Sequence, residues 1–143
     1  MSSYVADVPT GIPFDPQIRR FFEEFYAVSD SPTEHERYAN HFTPDATVIM
    51  ASNKFQGTSD ILQMRKFMWE RVATRLHRPE KIFPFGMSSD ESMLYGTVDY
   101  VFKDGNEATT EWAAHAHFRK TEQGLKMDFY QVYLDTGAQS AAK

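Results

Sequence analysis

The chain has 143 residues, no Cys, and 15 Lys and Arg against 20 Asp and Glu, a formal charge of -5. That length suits one domain around a single core, and the missing Cys excludes a disulfide framework, a thiolate metal site and a Cys nucleophile. Mild acidity without a basic stripe gives no footprint for nucleic acid, and no apolar run approaches the roughly 20 residues of a membrane span.

Residues 1–13, with Pro9, Gly11 and Pro13, read as a flexible or extended N-terminal arm. The first residues, Met1 to Asp7, hold neither a basic nor an apolar segment of a secretion signal, so a soluble cytoplasmic domain is the expectation. Asp15-Pro16 is an N-cap followed by Pro at the first helical position, and Ile18, Phe21, Phe22, Phe25 and Tyr26 then follow a helical period to near Ser29. Ser31-Pro32-Thr33-Glu34 predicts a second start with a capping box, a short helix burying Tyr38, Ala39 and Phe42, and a stop at Thr43-Pro44-Asp45.

Ala46 to Ala51 reads as a strand buried on both faces. Gly57-Thr58-Ser59-Asp60 opens a long helix with apolar positions Ile61, Leu62, Met64, Met68, Trp69, Val72 and Leu76. After Pro79 the pattern turns to strands at 81–85, 92–103, 109–120 and 125–135, with turn signals at Asp104-Gly105-Asn106 and Thr121-Glu122-Gln123-Gly124. Residues 137–143 read as a flexible tail. The order is that of an α+β domain: a mixed, curved sheet with about three helices, all from the N-terminal half, on one face. Helices cannot cover a strongly curved sheet evenly, so the gap between the layers is where a ligand would sit. With 12 Phe, 7 Tyr, 2 Trp and 7 Met, that gap is either an aromatic-walled pocket or a filled aromatic core.

Phe21-Phe22-Glu23-Glu24-Phe25-Tyr26, His41-Phe42-Thr43-Pro44-Asp45-Ala46-Thr47-Val48, Phe55-Gln56-Gly57 and the closing Tyr130-Gln131-Val132-Tyr133-Leu134-Asp135 together resemble the SnoaL-like branch of the nuclear transport factor 2-like superfamily, over residues 14–136. The resemblance implies a cone-shaped domain with a pocket inside it and a homodimer through the open sheet face. Superfamily members include polyketide cyclases, ketosteroid isomerases, epoxide hydrolases, scytalone dehydratase and adaptors without chemistry, so fold does not settle function. Scytalone dehydratase rings its pocket with an Asp, two His, an Asn and two Tyr. Asp30 is similar in placement to that Asp, His77 to the first His, and His115 falls near the Asn; Met50 stands where one Tyr would be, and no His occurs between residues 78 and 114 to supply the second.

His115-Ala116-His117 lies on a predicted strand, so both imidazoles project to one face. Glu122 follows at the spacing of an HxHxxxxE metal motif, but it sits in a predicted turn and the flanking glycines of that motif are absent, so no metal is expected. His115 is either a half-buried, hydrogen-bonded strand residue or a general acid–base reaching into the cone. Asp99, among Val98, Tyr100, Val101 and Phe102, is either ion-paired, to Arg119 or another strand residue, or turned to the pocket as a base. His77 is either an exposed helix-end residue or a proton donor at the pocket mouth, and Asp30 either a cap or a catalyst. Tyr26, Met50, Trp69, Phe129, Gln131 and Tyr133 are the expected substrate-binding side chains, and Arg65 and Arg71 are expected to be solvated.

These readings converge on a pocket enzyme that works without a cofactor on a hydrophobic, oxygenated small molecule such as a polyketide or terpenoid, by isomerisation, dehydration or cyclisation. The catalytic set is His115, His77, Asp99 and Asp30. The alternative is a non-catalytic small-molecule-binding or dimerisation module of the same fold.

Overall fold

A computed structural model describes residues 4–135. The elements run α1 (Pro16–Ser29), α2 (His35–Ala39), β1 (Phe42–Met50), β2 (Asn53–Gln56), α3 (Gly57–Trp69), β3 (Val72–Pro84), β4 (Glu91–Phe102), β5 (Glu107–Thr121) and β6 (Gly124–Leu134). The strands form one sheet in the order β2-β1-β6-β5-β4-β3. β1 and β6 are parallel and all other neighbours antiparallel, so the sheet is mixed as expected.

α1 starts as its sequence dictates. The Asp15 carboxylate accepts the Gln17 N–H at 2.9 Å, and Pro16 occupies the first turn, where no backbone donor is needed. Its aromatic face meets the inner face of β5 and β6. Phe21 and Phe22 stand edge-on to Phe118 at 5.1 and 5.4 Å, and Phe25 stands edge-on to Tyr130 at 5.3 Å. Along β5 the inward positions are Trp112, Ala114, Ala116 and Phe118, where the two small residues leave room for the rings of α1. The turns at Gly105 and Gly124 are the two expected from sequence, and both glycines adopt positive φ (92° and 106°).

Three expectations fail locally. Ser31 does not cap α2: its hydroxyl bonds back to the Ala27 carbonyl at 3.2 Å, and Glu34 pairs with Arg37. Thr43-Pro44-Asp45 belongs to β1, not to a stop after it. The register against β6 breaks between Phe42 and Thr47, so the missing N–H of Pro44 disrupts no ladder. Most consequentially, the third helix ends at Trp69, and Val72 and Leu76 lie on a thirteen-residue strand. Bulges in β3 between Val72 and Thr74 and between Pro79 and Lys81 break its two-residue alternation. The apolar spacing then imitates a helix until pairing with β4 decides the matter.

In the described part of the N-terminal arm, Asp7 bridges to β3. The Asp7 N–H donates to the Glu80 carbonyl (2.8 Å) and its carbonyl accepts from Ile82 N–H (3.0 Å), covering the free edge of β3. The tail at 137–143 lies outside the described residues. Among those residues no helix is long and apolar enough to cross a membrane.

The second β3 bulge presses on β4 at Gly96, where a β-carbon would meet the Arg78 carbonyl oxygen at 2.2 Å and Pro79 Cα at 2.9 Å. Gly96→Ala is therefore expected to destabilise the fold by about 1–3 kcal/mol through overpacking. Gly86→Ala, where a β-carbon meets nothing within 4 Å, is expected to leave stability nearly unchanged. Urea unfolding of the two variants measures the difference.

Candidate active site

The site begins where α1 ends. Asp30 caps the helix with its backbone N–H on the Tyr26 carbonyl (3.0 Å), which turns its carboxylate inward toward β3. There, the first β3 bulge sets Arg75 and His77 on the inner face, opposite Tyr100 and Val98 of β4. His77 contacts Asp30 twice: its Nδ1 lies 2.6 Å from Oδ1, and its backbone N–H donates to Oδ2 at 2.7 Å. The Tyr4 hydroxyl, from the N-terminal arm, donates to the same Oδ2 at 2.8 Å. With three donors on a carboxylate that is only 5% exposed, Asp30 is locked, and it orients the imidazole.

Since an ionised carboxylate only accepts, Nδ1 carries the proton toward Asp30 and Nε2 keeps a lone pair. The ring is held between Tyr26 (4.9 Å between centroids) and Trp112 (5.6 Å). Burial pushes the His77 pKa below the ordinary 6.5, with Arg75 and Arg65 adding to the effect and outweighing the stabilising pull of Asp30. The imidazole is therefore neutral at neutral pH, the form a general base requires.

His77 lines a cavity of about 460 Å³ between the sheet and the helices, walled by Met50, Met68, Tyr100, Trp112 and Tyr130. Its mouth lies among Asn53, Phe67, Glu70 and Arg71. The volume falls within the range of small-molecule sites. Tyr130 also bonds the Tyr26 hydroxyl at 2.8 Å, and burial raises the pKa of both phenols, so they stay protonated and can donate.

The structure brings together only part of the expected set. His77 and Asp30 meet in the cone, Met50 lines it and Tyr26 backs the imidazole. His115 does not reach in: inward parity on β5 belongs to Trp112, Ala114, Ala116 and Phe118, so His115 and His117 share the open face. There His115 Nε2 lies 2.6 Å from Glu91, and its ring packs on Phe129 at 5.3 Å. His117 lies 2.6 Å from Asp128 and 3.2 Å from Asp90. Burial opposes protonation of His117, but these carboxylates overcome it and raise the pKa. Asp99 also faces outward, bound by Arg78 (3.0 Å) and Thr109 (2.8 Å) in place of the expected Arg119. Phe129, Gln131 and Tyr133 share that outer face, with Gln131 directly across from His115. Trp69 lies under the guanidiniums of Arg65 (5.3 Å) and Arg75 (4.5 Å) and is not part of the cavity wall.

Three residues, Arg65, Arg75 and Tyr4, carry roles that the sequence did not indicate. Arg65 is not solvated but 0% exposed. It donates to the carbonyls of Ser29 (2.5 Å), Val28 (3.2 Å) and Ser31, at and just past the end of a helix with no basic residue in its last turn. Arg75 joins it on the Ser29 carbonyl at 2.9 Å. The signal available was the absence of any basic residue at the α1 terminus. Tyr4 had no sequence signal, because its partner is 26 residues away.

An NMR titration of the imidazole rings is expected to separate the two histidines. His77 takes up its proton below pH 6.5, and His117 holds one above it. Stability follows with opposite signs. The His77 contribution falls as pH drops below 6.5 toward its lowered folded value. The His117 contribution is complete below 6.5 and is lost as pH rises through its raised one. Asp30→Asn is expected to move the His77 titration lower still, since the carboxylate is what raises it.

No family model matches the chain, and no curated protein sequence matches it. Solved structures do. A protein proposed to be an aromatic ring hydroxylase, from Novosphingobium aromaticivorans, superposes with a TM-score of 0.72 at 19% identity, over 82% of this chain and 89% of that one. A type 2 hexachlorocyclohexane dehydrochlorinase gives a TM-score of 0.69 at 11% identity over 82% of each chain. Nuclear transport factor 2 from Cryptosporidium parvum gives 0.66 at 15% identity, covering 87% of this chain and 100% of that one. The chain thus has the cone fold of the nuclear transport factor 2-like proteins, with a histidine–aspartate pair at the floor of its cone.

Proposed function

We propose that this chain is a pocket enzyme that moves protons on a hydrophobic, oxygenated small molecule of the polyketide or terpenoid kind, with His77 as general base and Asp30 as its positioning partner. The observation that carries the reading is the 2.6 Å contact between His77 Nδ1 and Asp30, made at the wall of an apolar cavity. Nε2 takes a proton from a carbon activated by a neighbouring carbonyl, and Asp30 stabilises the imidazolium that forms. Returning the proton to another carbon gives isomerisation; returning it to a departing oxygen gives dehydration; attack of the carbanion on a second carbonyl, with the proton passed from the imidazolium to the alkoxide that forms, gives cyclisation. Met50, Met68 and the aromatic walls hold the substrate by apolar contact. That the same fold hosts a dehydrochlorinase supports an elimination-type chemistry.

Deuterium exchange at the α-carbons of bicyclic aromatic ketones such as the tetralones, followed by NMR in deuterated buffer, tests this. Wild type is expected to accelerate exchange, and His77→Gln to lose roughly 10²–10⁴ of it. A ketone that binds in the cone without exchanging, or full exchange in His77→Gln, contradicts the reading and favours the binding-module alternative.

The open sheet face supports a homodimer. Phe83 and Tyr133, 52% and 47% exposed, stand with Met93 and Tyr95 on one surface, and the Phe83 and Tyr95 rings stack at 6.0 Å. Sedimentation equilibrium is expected to give a dimer for wild type and a monomer for Tyr95→Asp. A monomeric wild type would contradict it.

A further inference from the structure

Two guanidiniums are buried beside one carboxylate at the floor of the cone; each keeps one unpartnered N–H, and of the two residues only Arg75 lines the cavity. Arg65 spends its terminal nitrogens on the carbonyls of Val28, Ser29 and Ser31 and lies over the faces of Tyr38 and Trp69; its Nε–H is also unpartnered, but Arg65 is not part of the cavity wall. Arg75, 4% exposed and part of the cavity wall, donates Nη2 to Ser29. Its Nε–H meets no acceptor, and the nearest carboxylate oxygen, Asp30 Oδ1, is 3.9 Å away, beyond hydrogen-bond range. A buried cationic N–H without an acceptor costs free energy that an arriving oxygen recovers.

The charges around it have a definite sign. Asp30 already accepts from Tyr4 and twice from His77. A neutral His77 adds no charge, and Glu70 and Arg71 at the mouth oppose each other. The α1 carbonyls offset part of the field of the arginines, but the buried formal charges remain two positive against one negative.

We infer that the cone selects ligands whose oxygen carries, or gains during reaction, a negative charge — enolate or phenolate oxygens on an apolar frame — with Arg75 as the residue that recognises the anion. This rests on the proposed reading of the cone as the ligand site, but not on proton transfer by His77. It separates substrates with an ionisable enol or phenol from neutral ones of the same shape.

Binding of 4-nitrophenol against its neutral analogue nitrobenzene tests it, with the phenolate absorbance followed across pH. The bound phenol is expected to ionise about one pH unit below the free probe, equivalent to a tenfold preference for the anion. That shift is expected to persist in His77→Gln, to survive in part in Arg75→Lys and to vanish in Arg75→Met. Bound phenol ionising at or above the pH of the free probe in wild type overturns the inference without any variant. So does an unchanged shift in Arg75→Met, or a shift lost in His77→Gln, which would assign it to proton transfer onto the imidazole. Ketone exchange without anion preference sinks this inference alone. Failure of both probes to bind at millimolar concentration sinks it together with the cone as a ligand site.

Discussion

The end of the first helix is the constraint on which the site depends. A helix leaves its last carbonyls unpaired, and here they point into the protein, not into water. Arg65 and Arg75 answer them, and Asp30, the capping residue itself, turns its carboxylate to β3. One structural problem, the burial of a helix terminus, thereby gathers two guanidiniums and a carboxylate at the floor of the cone. Each would be costly alone in an apolar interior, and their mutual contacts make the burial tolerable. His77 completes the set by donating to Asp30 from both its backbone and its ring.

The bulged strand does the rest. β3 runs its backbone past the α1 terminus, and its first irregularity places Arg75 and His77 on the same inward side. The sheet then divides its ionisable groups by face. Inside are a neutral imidazole, a locked carboxylate and protonated phenols around an apolar hollow. Outside are hydrated pairs, Asp99 with Arg78, His115 with Glu91 and His117 with Asp128, beside exposed aromatic rings. Proton transfer suits the first environment, where a mostly buried imidazole faces an apolar hollow. The second, with its exposed rings, is the face proposed above for the homodimer.

Much of this was legible from residues alone. Asp15-Pro16, the aromatic period of α1 and the turn signals around Gly105 and Gly124 are local features, and local chemistry decides them. Asp30 and His77 were legible through resemblance. The misreadings share a cause. Val72 and Leu76 extend a helical period by coincidence, and only pairing with β4 makes them strand. Asp99 and His115 required the parity of β4 and β5, which hangs on the register across the hairpin; Trp112, Ala114, Ala116 and Phe118 offered a hint in their alternation of ring and methyl. Arg65 looked like any helix cation, because its three carbonyl partners lie more than thirty residues away in sequence.

Proton abstraction in the cone requires a neutral His77 whose proton sits on the nitrogen facing Asp30. Nitrogen-15 NMR of the labelled protein at pH 7.5 reads this directly. A protonated Nδ1 with a bare Nε2 is the result the structure requires. A ring protonated at Nε2 alone, or at both nitrogens, would mean that the lone pair does not face the cavity, and the base assigned here would not exist.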